Sequence, residues 1–192
     1  EGALAADWGM DHATFDYILK AIFSMALADF TETTVPRHKI FTPEALEVIR
    51  LGEVPIRAIN FHILGTEGVL LGILAEGKSA AAQVLTASGV QSDTARSAVE
   101  KWLGTRPTPP EGTPIPAALP FAPRVKRVIE LALEEAKQQK QSQITPTYFL
   151  LGILAEYKEV PPPGGVATYI LREEFNVDLQ ALEQQLRAAI LP

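Results

Sequence analysis

Cysteine is absent from all 192 residues of the chain. Disulfide bonds, thiolate zinc sites and cysteine nucleophiles are therefore excluded. A chain without cysteine fits a reducing compartment, where disulfides do not form.

Positive charge is scarce as well. The chain has 17 lysines and arginines against 23 aspartates and glutamates, which gives a formal net charge of −6. Binding to phosphates requires concentrated basic side chains. The densest basic group, Arg124, Lys126 and Arg127, is followed closely by glutamates. We therefore expect no nucleic-acid partner.

Long apolar runs are also missing. No stretch approaches the ~20 apolar residues that cross a bilayer, so we expect a soluble chain that does not span a membrane. The chain begins at Glu1 rather than Met, which suggests a processed form, a trimmed form or part of a longer protein.

Patterns typical of catalysis and metal binding do not stand out. His12, His38 and His62 are scattered, and no pair has a metal-binding spacing such as His-x-x-x-His. No serine lies in a Gly-x-Ser-x-Gly context. We expect no catalytic residue, no metal and no cofactor, and we expect that the chain does not hydrolyse ATP.

Proline and glycine divide the chain into four segments. Six of the sixteen residues 105–120 are proline, which predicts an extended, semi-rigid linker that could also serve as a docking strip. The segments are a leader (1–40), a first repeat (41–104), this linker (105–120) and a second repeat (121–192).

The two repeats are related by an internal duplication. When Phe41 is placed on Phe121, an offset of 80 residues runs without a gap to Glu76 on Glu156, and 12 of the 36 positions are identical. Seven of the identities form an unbroken Leu-Leu-Gly-Ile-Leu-Ala-Glu run that ends each match. Identity over such a run indicates a true repeat.

Both repeats are predicted to be helical, and the fold class is all-α. Apolar residues recur at helical spacing, and no sustained alternation of period two predicts a strand. Pro55 should kink the first long helix or end it early. Thr66 should cap the next helix, and Thr145 to Thr147 should cap its equivalent. The Leu-Leu-Gly-Ile-Leu-Ala-Glu helices are expected in the core, where Gly72 and Gly152 allow close helix contacts.

The leader carries an additional predicted helix from about His12 to Phe30. Its apolar and aromatic side chains are typical of interface cores, but they could equally fold back onto the repeats of the same chain. Under the first interpretation the partner-binding residues are Trp8, Phe15, Ile18, Ile22 and Phe23.

The segment Leu64–Gly77 resembles the signature of the Clp N-terminal (Clp-N) domain family. That family carries a Gly-Thr-Glu-His-x-Leu-Leu-Gly phrase after a helix that opens with Phe-Thr-x-x-Ala, as Phe41 to Ala45 do here. The resemblance covers about residues 41–104 and 121–191. It implies two tandem pseudo-twofold repeats with about eight helices in total, to which the leader adds one.

The resemblance also implies a ligand site. In ClpC-type domains the threonine and glutamate equivalent to Thr42 and Glu67 line a small pocket for phosphorylated arginine, where a carboxylate pairs with a guanidinium. The second repeat has Ala122 and Thr147 at these positions, so its pocket should be lost. Alternatively, Glu67 is only a first-turn acid that the helix dipole favours.

The function implied by the family is protein binding. The leading hypothesis is a non-catalytic accessory or adaptor protein, similar to stand-alone ClpT-like proteins, that binds the Clp protease core or Clp unfoldase subunits. The alternatives are a structural subunit of an unrelated assembly, for example a photosynthetic or plastid one, and the substrate-receiving domain of a larger Clp ATPase. The expected compartment is a cyanobacterial cytoplasm or the plastid stroma.

Overall fold

The structure, a computed structural model, describes residues 37–110, 116–159 and 164–190. Within these ranges the chain forms helices and two isolated β-bridges but no strand. The predicted all-α fold class is therefore confirmed. Residues 1–36 of the leader, which include its predicted helix, lie outside the described residues.

A single helical turn, α1, is followed by eight helices, four in each repeat. In repeat 1 the helices after α1 (Arg37–Ile40) are α2 (Pro43–Ala58), α3 (Thr66–Glu76), α4 (Ala80–Ala87) and α5 (Ser92–Leu103). In repeat 2 they are α6 (Pro123–Gln138), α7 (Pro146–Glu159), α8 (Val166–Tyr169), which continues as a π-helix (Ile170–Glu174), and α9 (Leu179–Ile190). The prediction of about eight helices in the two repeats is confirmed.

Local capping explains where several helices begin. The Ala45 amide donates to Thr42 Oγ1 (3.3 Å) at the start of α2, and the Tyr148 amide donates to Thr145 Oγ1 (3.3 Å) at the start of α7. A threonine oxygen in this position satisfies an amide that has no partner inside the helix. Gly89, with φ +87°, follows the end of α4.

Pro55 does not end its helix early, so that part of the prediction is wrong. Helix α2 continues to Ala58 and is 16 residues long, the same length as α6. Pro55 lies close to the C-terminal end, where it removes only one helical hydrogen bond, to the carbonyl of Leu51. Burial of Ile56 and Ile59 beyond it holds the last turn in place.

The first two helices of each repeat form an antiparallel pair that is brought together by glycine. In repeat 1, a Cβ on Gly72 would overlap the Val48 carbonyl, and a Cβ on Gly52 would overlap the Gly68 carbonyl. In repeat 2, a Cβ on Gly152 would lie 2.5 Å from the Val128 carbonyl oxygen. The prediction that Gly72 and Gly152 permit close helix contacts is confirmed.

Backbone hydrogen bonds join the two repeats reciprocally. The Thr42 amide donates to the Ile144 carbonyl (3.0 Å), and the Ile144 amide donates to the Ile40 carbonyl (2.8 Å). Eighty residues on, the Ala122 amide donates to the Leu64 carbonyl (2.9 Å), and the Leu64 amide donates to Pro120 (2.8 Å). Each repeat thus supplies the segment that pairs with the other.

The helices of the two repeats also interlock. Helix α4 packs on α7 and α8 packs on α3, while α9 reaches α4 and α5 reaches the π-helix. Phe41 and Phe121 are the first residues of the two repeats. Their rings pack edge to face, with 6.4 Å between the ring centroids. The two repeats therefore share one core and do not form separate domains.

Both described ends of the proline-rich linker lie against α2. The Arg106 amide donates to the Ile59 carbonyl (3.0 Å), and Asn60 Nδ2 donates to the Arg106 carbonyl (2.8 Å). At the other end, Arg57 donates to the Pro116 carbonyl (2.9 Å) and Glu53 accepts from the Leu119 amide (3.1 Å). The ends of the linker thus belong to the surface of repeat 1, which the expectation of an extended spacer did not foresee.

Candidate functional site

Thr42 is a capping residue in this structure. It is half-buried, its hydroxyl caps α2, and its backbone amide joins repeat 2 at Ile144. The hydroxyl also hydrogen bonds with Glu44, and this contact, after the backbone amide of Glu44 itself, lowers the pKa of that carboxyl. Thr42 therefore has a complete structural role before any ligand is considered.

Glu67 lies at the start of α3 and is buried, with 6 % of its surface exposed. Its carboxylate folds back over Gly65, where a Cβ would overlap both of its oxygens. Burial raises the pKa of Glu67 to about 7, and the backbone amides of Glu67 and Gly65 oppose that rise. A buried carboxyl without a cation holds its proton more tightly than one in water.

The structure does not bring Thr42 and Glu67 together within repeat 1. Because α2 and α3 are antiparallel and Gly52 meets Gly68, Glu67 lies opposite the second half of α2. Thr42 precedes the first turn of α2, so roughly 16 Å of helix separates it from the level of Glu67. A role for either residue in binding stays a prediction, but the two do not line one pocket in this repeat.

Each residue instead has neighbours from the other repeat. The α3 end that carries Glu67 follows Leu64, which pairs with Ala122. Thr42 pairs with Ile144, close to the α7 end that carries Thr147. At each junction one residue departs from the family pattern. Ala122 pairs with Leu64, three residues before Glu67, and Thr147 lies three residues after Ile144, which pairs with Thr42.

Thr66 has a cross-repeat role that the sequence did not reveal. The N-cap of α3 is Gly65, so the prediction that Thr66 caps this helix is wrong. The Thr66 hydroxyl instead accepts from the Ala167 amide (3.2 Å) in the first turn of α8. Gly165, which precedes α8, offers no side chain for capping, and a Cβ there would lie 2.9 Å from Thr66 Oγ1.

A buried ion pair lies near the same junction. Glu156 is 1 % exposed, and its Oε1 accepts from Arg124. Its other oxygen, Oε2, is buried without a hydrogen-bond partner and lies 3.6 Å from the Cβ position of Gly165. The equivalent residue in repeat 1, Glu76, is half-exposed and accepts from the amides of Lys78 (3.2 Å) and Ser79 (2.9 Å).

One motif was not recognised from the sequence. Residues 72–79 read Gly-Ile-Leu-Ala-Glu-Gly-Lys-Ser, which matches the P-loop pattern letter for letter. A P-loop follows a strand and offers free backbone amides to phosphate, whereas Gly72 lies inside α3. The amides of Lys78 and Ser79 already donate to Glu76 Oε2. The segment therefore matches the P-loop motif in sequence but does not adopt the P-loop conformation.

The remaining candidates add no site. The predicted partner-binding residues of the leader lie outside the described residues: Trp8, Phe15, Ile18, Ile22 and Phe23. No three His, Asp or Glu side chains in the described ranges are placed to hold a metal ion. No helix in those ranges has by itself the length and hydropathy of a membrane span, although α3 and α4, bent by 95°, meet that test together.

Comparison with known proteins places the chain among Clp sequences. Residues 40–161 match the Clp_N family, described as the Clp repeat (R) N-terminal domain. An ATP-dependent Clp protease ATP-binding subunit ClpA homolog of Guillardia theta is 38 % identical over 147 residues, 76 % of this chain. Chaperone protein ClpC1, chloroplastic, of Arabidopsis thaliana is 37 % identical over the same length. The chain spans only 16 % and 14 % of these two relatives.

Solved structures show the same fold. The N-terminal domain of the Clp-associated chaperone ClpD from Arabidopsis thaliana superposes with a TM-score of 0.61 at 19 % identity, covering 80 % of this chain and 99 % of that one. The Hsp104 N-terminal domain from Candida albicans gives 0.56 at 15 % identity, covering 77 % and 89 %. At these identities the likeness concerns the fold alone.

Proposed function

Because this chain belongs to the Clp N-terminal domain family, we propose that it is a non-catalytic accessory or adaptor protein that binds Clp protease or unfoldase subunits. The observation that carries the proposal is the closed double repeat. Each repeat contributes four helices, and the two repeats pair reciprocally through backbone hydrogen bonds between Leu64 and Ala122 and between Thr42 and Ile144. The protein would act through its helical surfaces, in a cyanobacterial cytoplasm or the plastid stroma.

The structure of the P-loop-like phrase supports the non-catalytic part of this proposal. Its Lys78 and Ser79 amides donate to Glu76, and its first glycine is packed against the Val48 carbonyl. A nucleotide phosphate would have to displace a carboxylate and unwind the end of α3. We therefore propose that this segment connects α3 to α4 and does not bind ATP.

A second candidate function is favoured by the relatives themselves. They are ATP-binding subunits and chaperones of which this chain covers about one sixth or less. On this alternative the chain is the substrate-receiving domain of a larger Clp ATPase. A third possibility, a structural subunit of an unrelated assembly that has kept this fold, is suggested by the changed positions Ala122 and Thr147 at the two repeat junctions.

A native pull-down of the tagged full chain from its source organism, followed by mass spectrometry, tests these alternatives. Recovery of Clp protease or unfoldase subunits supports an accessory role. If the tagged polypeptide itself also contains ATPase sequence, the chain is a domain of an unfoldase. Recovery of a different complex without Clp subunits would overturn both Clp assignments.

The position of the binding surface can be tested in the same experiment. A chain that lacks residues 1–36 keeps α1 and the Ile40–Ile144 bond, so the repeats retain their junction. If this variant loses the partner while its circular dichroism and melting temperature are retained, the leader is the docking segment. The matched point variant is Phe15→Ala with Ile22→Ala in the full chain, which should weaken binding without affecting the repeats.

A further inference from the structure

The segment Leu64–Glu67 concentrates contacts between the two repeats. Leu64 exchanges two backbone hydrogen bonds with the segment that opens repeat 2, and Thr66 accepts from the Ala167 amide at α8. Three cross-repeat hydrogen bonds therefore end within three residues. Glu67 follows directly, with its carboxylate buried over Gly65.

Other carboxylates near this segment are neutralised by arginine. Across the α2–α3 contact, Glu53 is paired with Arg57 (2.9 Å). Beyond Thr66 and Gly165, Glu156 is paired with Arg124. Helix α4 contains no ionisable side chain. The ionisable side chains of α5 lie on its outer surface or at its ends, and α8 contains only the half-buried Tyr169.

Glu67 differs from these carboxylates because no described residue forms an ion pair with it. Its charged form has only the backbone amides of Glu67 and Gly65 for stabilisation, and burial opposes ionisation more strongly than these amides favour it. A buried carboxyl in this position is most stable with its proton bound.

We propose that Leu64–Glu67 is a proton-sensitive latch between the two repeats, which loosens when Glu67 loses its proton. The ionised carboxylate can regain water only if the first turn of α3 lifts. Lifting that turn breaks the bonds of Leu64 to Pro120 and Ala122 and the bond of Thr66 to Ala167. The opening disturbs the Gly52–Gly68 contact in the first turn of α3, whereas the contact of Gly72 with the Val48 carbonyl lies one turn further along and keeps α2 and α3 together.

The opposite junction provides an internal control. Ile40, Thr42 and Ile144 make the equivalent backbone bonds, but the residue equivalent to Glu67 is Thr147, which does not ionise in this pH range. The two junctions have the same topology but differ in two titratable groups, Glu67 and His62, whose equivalent is Ser142 and whose imidazole nitrogens are buried without a hydrogen-bond partner. A pH effect on one junction but not on the other therefore reports one of these two groups and not general loosening of the fold, and Glu67→Gln distinguishes Glu67 from His62.

Amide hydrogen exchange of the full chain at pH 6 and pH 8, corrected for the intrinsic exchange rate, tests the latch. With the pKa of Glu67 near 7 in the closed state, we expect the opening equilibrium at Leu64, Ala122 and Ala167 to rise roughly ten-fold between these pH values. Amides of Thr42 and Ile144 should show no such rise. Glu67→Gln should abolish the difference between the junctions.

Two results would overturn the proposal. One is an equal response of both junctions to pH in the wild-type chain, which remains measurable even if Glu67→Gln does not fold. The other is an unchanged pH response at Leu64 in a folded Glu67→Gln variant. As a converse test, Thr147→Glu should make the Thr42–Ile144 junction sensitive to pH, and a folded variant without that gain would also contradict the latch.

Discussion

The two repeats use different residues for the contact between their first two helices, α2–α3 in repeat 1 and α6–α7 in repeat 2. In repeat 1 the α2–α3 pair meets through Gly52, Gly68 and Gly72, whereas repeat 2 has Ala132, Tyr148 and Gly152 at these positions. Helices α2 and α6 nevertheless begin 80 residues apart and have the same length. The duplicated frame therefore depends on the one glycine that both repeats retain.

The surfaces of the repeats differ more than their cores. Ion pairs tie helices of repeat 2 together, with Arg127 binding Glu159 and Arg187 binding Glu135. In repeat 1, Arg50–Glu47 and Arg96–Glu100 each lie within one helix. Repeat 1 relies on close backbone contact, while repeat 2 adds electrostatic links between helices. Substitutions at equivalent positions should separate the two strategies.

The largest expected effect comes from filling the retained glycine. In Gly72→Ala the added methyl group overlaps the Val48 carbonyl, which is backbone and can move only with α2. We expect a loss of roughly 3 kcal/mol in the free energy of unfolding, measured by urea titration. Gly152→Ala should cost less, about 2 kcal/mol, because its nearest atom is 2.5 Å away and the next belongs to the Ala132 side chain.

A control on the same helix distinguishes packing from helix propensity. Ala75→Ser changes an exposed position of α3 and should alter the unfolding free energy by less than about 0.5 kcal/mol. Equal costs for Gly72→Ala and Gly152→Ala would contradict the tighter approach in repeat 1.

The next effect concerns the ion pair of the buried Glu156 with Arg124 in repeat 2. Arg124→Ala would leave Glu156, 1 % exposed, without a cation, and we expect a loss of roughly 2–3 kcal/mol because Arg124 itself is partly in solvent. The equivalent substitution in repeat 1, Glu44→Ala, removes an exposed side chain and should cost less than about 1 kcal/mol. Adding Glu156→Gln to Arg124→Ala should restore part of the loss, and the absence of any recovery would argue against a charge effect.

The pH dependence of stability distinguishes Glu67 from Thr147. Because the folded-state pKa of Glu67 is raised to about 7 from its ordinary 4.5, its contribution is fully present below 4.5 and is lost as pH rises through 7. Between pH 5 and pH 7 we expect this group to lower the unfolding free energy by about 2 kcal/mol. Thermal unfolding of Glu67→Gln should lack that decline, whereas the exposed control Glu134→Gln should retain it.

Sequence reasoning found what local signals encode. The identity between Phe41–Glu76 and its counterpart indicated the duplication, and the threonine at the start of α7 marked the cap at Thr145. The all-α class followed from periodicity alone. Pro55 was misjudged because its position in the last turn of α2, with Ile56 and Ile59 buried, makes its cost small.

The junctions between repeats could not be predicted, because their partners are 56 to 104 positions apart and carry no local signal. The Thr66 hydroxyl has the sequence features of an N-cap for α3, yet the helix it caps belongs to repeat 2. Glu67 looks like an ordinary first-turn acid until its burial is known. The binding role of Thr42 and Glu67 stays a prediction, although the antiparallel α2–α3 pair places the two residues far apart within repeat 1.

The smallest expected effect tests the interhelical ion pairs of repeat 2. Arg187 of α9 donates to Glu135 of α6 at 2.8 and 2.9 Å, and also to Glu183. Its equivalent in repeat 1, 87 positions earlier, is Glu100, whose ion pair stays within α5. Because Arg187 is partly exposed, Arg187→Ala should cost only about 1 kcal/mol, and Glu100→Ala less than about 0.5 kcal/mol. Urea titrations at low and high salt should show the Arg187 cost shrinking as salt rises; a salt-independent cost would mean that the arginine stem, and not its charge, holds α9 to α6.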